Sequence, residues 1–189
     1  MRYLYLTIMI FYSAARADSE ILYAISVSSP DQWDNVGGAN KVESVSDDVD
    51  DNYIDETTQS ERQRFTVENP GDIGSLDIID SIVIHSRMKT PSGTGVVARA
   101  NHIVSSTASG TSRTLTGLWT DYTDSYSTDP DGYDWSLSSI NDLKVEAEAV
   151  TVPILKRAHC TKIYVVVYYT PAAPVYRRKI YQQQMLMGD

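Results

Sequence analysis

The chain has 189 residues, which suits one domain with a sizeable core and is short for two. Its 25 acidic residues against 16 basic ones give a formal net charge of -9, which argues against nucleic acid as a partner, because a phosphate backbone needs a matching positive surface. Tyrosine (13) and tryptophan (3) outnumber phenylalanine (2), so the aromatic content favours rings that keep a polar tip in water, as on a sheet protein with a decorated surface.

The chain opens with RYLYLTIMIFYSAARAD, which supports two readings. Arg2, the apolar stretch Tyr3 to Tyr12 and Ala15-Arg16-Ala17 together have the order of a secretory signal peptide. The same stretch alternates, with Leu4, Leu6, Ile8 and Ile10 on one face and Tyr3, Tyr5, Thr7, Met9 and Phe11 on the other, which is the period of a strand. A strand of this kind is one that a subunit can lend to the open edge of another. Residues 1–17 are therefore a signal peptide or a donated strand. The apolar run covers about ten residues where a crossing helix needs about twenty, so no membrane span is expected.

From Asp18 onward, short apolar runs are broken by Gly, Pro, Asp and Ser clusters, which predicts an all-β domain over residues 18–171. The expected strands are Ile21 to Val27, Arg64 to Val67, Ile78 to Arg87, Val96 to Val104, Ser112 to Thr116, Trp119 to Thr128, Val145 to Val152 and Thr161 to Thr170. Before the second of these lies ESVSDDVDDNYIDE, which has no basic residue and is read as a solvated loop that cannot be a buried strand. Its Asp47, Asp48, Asp50 and Asp51 are the candidate Ca²⁺ ligands, although their spacing does not match an EF-hand loop and a surface loop suits the run better. No other cofactor is expected.

In DSIVIHSRMK, Ile82, Ile84 and Ser86 share one face and Val83, His85 and Arg87 the other. KTPSGTG then reads as a turn. Trp119, Tyr122, Tyr126 and Tyr133 are the candidate sugar-stacking rings, yet Trp119 and Tyr122 have opposite parity on a strand, so part of this set belongs to the core. DPDG is a tight turn, and Trp135 should be buried beside a short helix over Leu137 to Leu143, capped by Ser136 with Ile140 and Leu143 inward. In TKIYVVVYYT, Ile163, Val165 and Val167 point inward and Lys162 and Tyr164 outward.

Residues 172–189 form a basic tail, in which Tyr176, Arg177, Arg178 and Ile180 are candidate contacts to a neighbouring subunit, steered by contrast with the acidic body. Cys160 is alone, sits in a strand pattern and reads as a small buried hydrophobe. The three histidines are too few and too scattered for a metal centre; His85 and His102 could meet on neighbouring strands, where a hydrogen-bonded or solvated pair is expected rather than a metal site. The chain carries no G-x-S-x-G elbow, P-loop or dinucleotide glycine pattern, so no enzyme activity is expected.

About eight strands with one helical turn point to a jelly-roll-like antiparallel β-sandwich. DNYI after an acidic loop, DIIDSIVIHSRMK, STDPDGYDWSLSSINDL and CTKIYVVVYYTP resemble the jelly-roll structural domains of phage virion proteins and of secreted bacterial surface and filament proteins. The likeness covers Ser28 to Pro171; the hydrophobic first segment and the tail depart from it. The resemblance implies a non-catalytic role in a virion, filament or cell-surface layer and supplies no catalytic residues. The sequence thus predicts an extracellular or virion protein that self-assembles with copies of itself by exchange of terminal strands. The alternative is a secreted, adhesive carbohydrate-binding module that contacts surface glycans.

Overall fold

The computed structural model describes residues 17–46, 49–91 and 93–173. In chain order the strands are β1 (Asp18–Asp31), β2 (Asp34–Val36), β3 (Tyr53–Glu56), β4 (Arg62–Val67), β5 (Ile78–Lys89), β6 (Val97–Ile103), β7 (Thr107–Ala108), β8 (Arg113–Thr114), β9 (Thr120–Tyr126), β10 (Lys144–Thr151) and β11 (Ala158–Thr170). Helix α1 (Glu43–Ser46) precedes β3, and α2 (Leu137–Asn141) precedes β10. No described helix is long and apolar enough to cross a membrane.

The strands pair antiparallel throughout, as a jelly-roll-like β-sandwich. In the first sheet β11 is central: β5 lies along one edge and β9 beyond it, while β1 and the β2–β3 pair share the other edge. The second sheet runs β1–β4–β10–β6, with β7 and β8 beyond β6. Strand β1 belongs to both: Asp18 to Tyr23 pair with β11 and Ala24 to Asp31 with β4, with a register shift between Ala24 and Ser26. Such an irregularity bends a strand and lets it change sheets at a corner.

The alternation read from the sequence sets the faces. Leu22, Ile82, Ile84, Met88, Ile163, Val165 and Val167 meet Phe65, Val67, Val145 and the alanines at 98, 100, 147 and 149 in the core. The small alanines of β6 and β10 leave room for the larger side chains opposite, the interdigitation that close packing requires. Trp33 is fully enclosed and donates its indole N–H to the Glu61 carbonyl (3.2 Å). The outer face of the second sheet carries a charge ladder: Arg64 forks onto one oxygen of Glu146 (3.1 and 2.8 Å), and Arg99 grips Glu148 (2.8 and 3.1 Å). Asn101 reaches both carboxylates, at 3.0 and 2.7 Å.

Helix α2 starts as expected: the Ser136 hydroxyl accepts the Ser139 N–H and Ser139 returns the bond, while Ile140 and Leu143 are buried. Trp135 is buried beside it and donates to the Tyr126 carbonyl (3.1 Å). Glycines at positive φ stand where the turns were read, with Gly93 and Gly95 in KTPSGTG and Gly132 in DPDG.

Two expectations are corrected. The acidic stretch after Glu43 is not wholly a solvated loop: it contains α1, with Val45 buried, and β3, in which Ile54, Asp55 and Glu56 are all buried. Its charges are tolerated because Arg157 pairs with Asp55, and the Glu56 carboxylate accepts the Thr57 and Thr58 N–H groups (2.6 Å each). His85 and His102 do not meet, because β5 and β6 belong to different sheets and His85 faces outward while His102 faces the core.

Candidate functional site

The outer face of the first sheet gathers rings and charges from strands distant in sequence. The β5–β11 register sets His85 beside Tyr164 and the β1–β11 register sets Tyr23 beside Tyr164. Odd residues of β5 and even residues of this part of β11 point away from the core, so these rings share one surface. His85 and Tyr164 stack nearly parallel (centroids 4.6 Å, 5°), Tyr23 follows at 5.9 Å, and the Lys162 ammonium lies 5.2 Å from the Tyr164 centroid. Burial lowers the His85 pKa, Asp121 opposes this and Lys162 reinforces it, so the ring is neutral at pH 7.

A second aromatic group stands further along the same face. Tyr53 stacks on His159 (4.2 Å, 14°) and meets Trp119 edge-on at 6.0 Å. Lys89 covers Trp119 at 4.1 Å from its centroid. His85 and Lys89 are four residues apart on β5, so the two ring groups are separated by about 13 Å along the strand.

Between them lies Arg87. Its guanidinium forks onto Asp50 (2.9 and 3.0 Å) and sends a third bond to Asp121 (2.9 Å). The Arg87 bond holds the Asp50 carboxyl below its usual range, and the same bond raises the arginine, so this pair stays charged. A cleft of about 370 Å³ opens here, lined by Asp50, His85, Arg87, Asp121, Lys162 and Tyr164 among others. Flat rings flanking a cluster of fixed acceptors and donors can hold a ligand that is apolar on its faces and hydroxylated on its rim.

The candidate sugar-stacking rings are dispersed. Trp119 belongs to the second ring group, whereas Tyr122 and Tyr126 point toward the core side of β9 and pack against it, Tyr126 lying 3.9 Å from the His102 ring. Tyr133 is exposed in the DPDG turn at the far end of β9. Of the Ca²⁺ candidates, Asp47 and Asp48 lie outside the described residues, Asp50 is engaged by Arg87 and Asp51 is exposed. Among the described residues no group of three His, Cys, Asp or Glu is placed to hold a metal ion. Leu4, Leu6, Ile8, Ile10, Tyr176, Arg177, Arg178 and Ile180 also lie outside the described residues. Cys160 is fully buried, and burial pushes its thiol up to about 12, which leaves it without thiolate reactivity at neutral pH.

Sequence reading placed Lys162 and Tyr164 outward and His85 and Arg87 together on one face of their strand, without assembling them into a site. The available signal was that two strands each carry an outward aromatic next to an outward cation; their adjacency comes from pairing, which no local pattern encodes.

No family model matches this chain, and no curated protein matches it. Solved structures similar to it include a family 29 carbohydrate-binding module from Piromyces equi, at 17% identity and TM-score 0.36, covering 82% of this chain and 91% of that one. Another is the N-terminal cellulose-binding domain of Cellulomonas fimi β-1,4-glucanase C, at 7% identity and TM-score 0.34, covering 77% and 93%. A third is from infectious bursal disease virus, Gx strain, at 13% identity and TM-score 0.29, covering 90% of this chain and 42% of that one.

Proposed function

We propose that this protein is a non-catalytic carbohydrate-binding module, acting outside the cell, whose ligand lies across the outer face of the first sheet. The observation that carries the reading is the arrangement on β5 and β11: the stacked His85–Tyr164 rings border a cleft whose floor is Arg87 clamped by Asp50 and Asp121. A pyranose ring presents C–H groups that pack on an aromatic face and equatorial hydroxyls that bond to carboxylates and guanidinium. The Asp50–Arg87–Asp121 triad is preorganised, so little ordering cost remains when a sugar binds. The separation of the ring groups suits an extended oligosaccharide spanning both rather than a single residue. Exchange of terminal strands draws on residues outside the described ones, and nothing on this face favours it over glycan binding.

Native gels cast with soluble neutral β-glucans, mannans and xylans test the reading. At least one polysaccharide should retard the wild type, and Tyr164→Ala should weaken that retention about tenfold or more while the far-UV spectrum stays unchanged. Absence of retardation across the panel, or full retention by Tyr164→Ala, would overturn it.

A further inference from the structure

We infer that one end of the sandwich docks onto an anionic lipid surface, with Leu118, Ile154 and Leu155 entering the interfacial layer. The inference does not rest on the glycan reading: it concerns the loop end, which meets the sheet face only at Lys89 and Trp119.

The turns over 93–96, 115–119 and 153–157 close this end together. Thr90 N–H bonds the Thr116 carbonyl (2.8 Å), Leu115 N–H bonds that of Val96 (2.8 Å), and the Lys156 ammonium bonds the Thr94 carbonyl. Leu118 is 79% exposed, Ile154 91% and Leu155 95%, so these aliphatic side chains stand almost entirely in water. Leu155 is also held at φ 64° in a turn closed by Lys156 N–H to the Pro153 carbonyl (3.0 Å). That third turn position is relaxed for Gly or Asn and strained for leucine. A leucine that is both strained and solvated contributes nothing to this fold.

Charge selects the occupant. In a chain with 25 acidic residues, these three turns contain none, and they carry Lys156 and Arg157 with Lys89 alongside. The carboxylates near this end are Asp55, Glu56, Glu61 and Asp121: the first two are buried, Asp55 is taken by Arg157, Glu56 hydrogen-bonds Glu61, and Asp121 accepts from Arg87 (2.9 Å). The opposite end, where β5 and β10 begin and β9 finishes, has Asp72, Asp77, Asp80, Asp129, Asp131 and Asp142. It too exposes aliphatics, Leu76 (76%) and Ile78 (66%), but among carboxylates that a negative membrane repels. The molecule is thus electrically polarised, and an anionic surface orients it with the carboxylate-free tips inward. Separate convex tips flanked by long cationic side chains suit a deformable headgroup layer, where the cations stay with the phosphates while the aliphatics enter. A protein partner would instead require a contiguous complementary patch.

The test is flotation of the full chain with sugar-free vesicles of phosphatidylcholine, with or without about one third phosphatidylglycerol. The wild type should float with the anionic vesicles, less so as salt rises, and the emission of Trp119 should shift to the blue, Trp33 and Trp135 being already buried. The double variant Ile154→Asp, Leu155→Asp should lose about a hundredfold in partitioning, whereas Leu76→Asp should float as the wild type does. The inference fails if the wild type stays in the soluble fraction with both compositions, if the double variant floats unchanged, or if Leu76→Asp loses as much. It fails equally if light scattering finds a dimer that the double variant dissolves while vesicles capture nothing, since the tips would then be a protein contact. Because the vesicles carry no sugar, failure here leaves the glycan reading intact, and a negative glycan panel leaves this one intact.

Discussion

Acidification from pH 6.5 to 4 is expected to strip the protein of several kcal/mol of stability, well before its carboxylates are fully protonated. His102 is 1% exposed and His159 5%, and neither ring nitrogen of either side chain has a hydrogen-bond partner among the described residues. Burial lowers the His102 pKa to about 4, with Asp129 opposing; burial, Lys89 and Arg157 lower His159 to about 4. In the unfolded chain both take up a proton near pH 6.5. Between these values the unfolded state binds more protons than the folded one, so stability rises with pH there and falls as pH is lowered. Each histidine contributes about 3 kcal/mol to the loss across the window. Glu56, raised by burial and by Glu61, works in the opposite direction, since its folded state takes up a proton more readily on acidification. Urea unfolding at pH 7.5, 6, 5 and 4.5 measures the net slope. His102→Phe fills the same space against Tyr126 and Trp135 without a titrating group, and it should flatten the profile by roughly half with no loss at pH 7.5. An unchanged slope in that variant would refute the assignment.

Glu146→Ala is expected to cost about 3 kcal/mol at pH 7. Glu146 is fully enclosed on the outer face of the second sheet, where Arg64 and Asn101 both depend on it and Arg62 approaches to 3.8 Å. Removing it leaves a guanidinium held among other arginines without its counter-charge and deprives Asn101 of one acceptor. Breaking a buried pair on one side is costly even where the intact pair adds little net stability. The paired replacement Glu146→Leu with Arg64→Met removes both charges and should restore most of the loss, which separates a lost ion pair from a lost contact surface. A single variant within about 0.5 kcal/mol of the wild type would mean that water reaches the ladder and screens it.

The elements that were legible in the sequence are those whose signal is local. Alternation in DSIVIHSRMK and TKIYVVVYYT set the correct faces of β5 and β11, and Ser136 marked the start of α2. The opposite parity of Trp119 and Tyr122 separates their faces, and the pairing partners decide which is which: Tyr122 packs toward the core while Trp119 joins Tyr53 and Lys89. What escaped depends on distant partners. YIDE looks like solvated loop until Arg157, 102 residues away, neutralises Asp55 and β11 supplies a ladder for it. The candidate site escaped for the same reason: Arg87 finds Asp50 37 residues before it and Asp121 34 residues after it. No window of sequence contains all three.

The corner strand β1 has a consequence for how the molecule is made. Its first half has β11 as its ladder partner and its second half has β4, so this strand waits for one translated almost 150 residues after it, Ile21 pairing with Val166. Until then, Leu22 and the inward row of β5 have no lid, and both are apolar surface in an incomplete chain. Closure of so long a loop places folding in the slow regime of about milliseconds to seconds and after synthesis of β11, and the apolar inner faces stay uncovered until then.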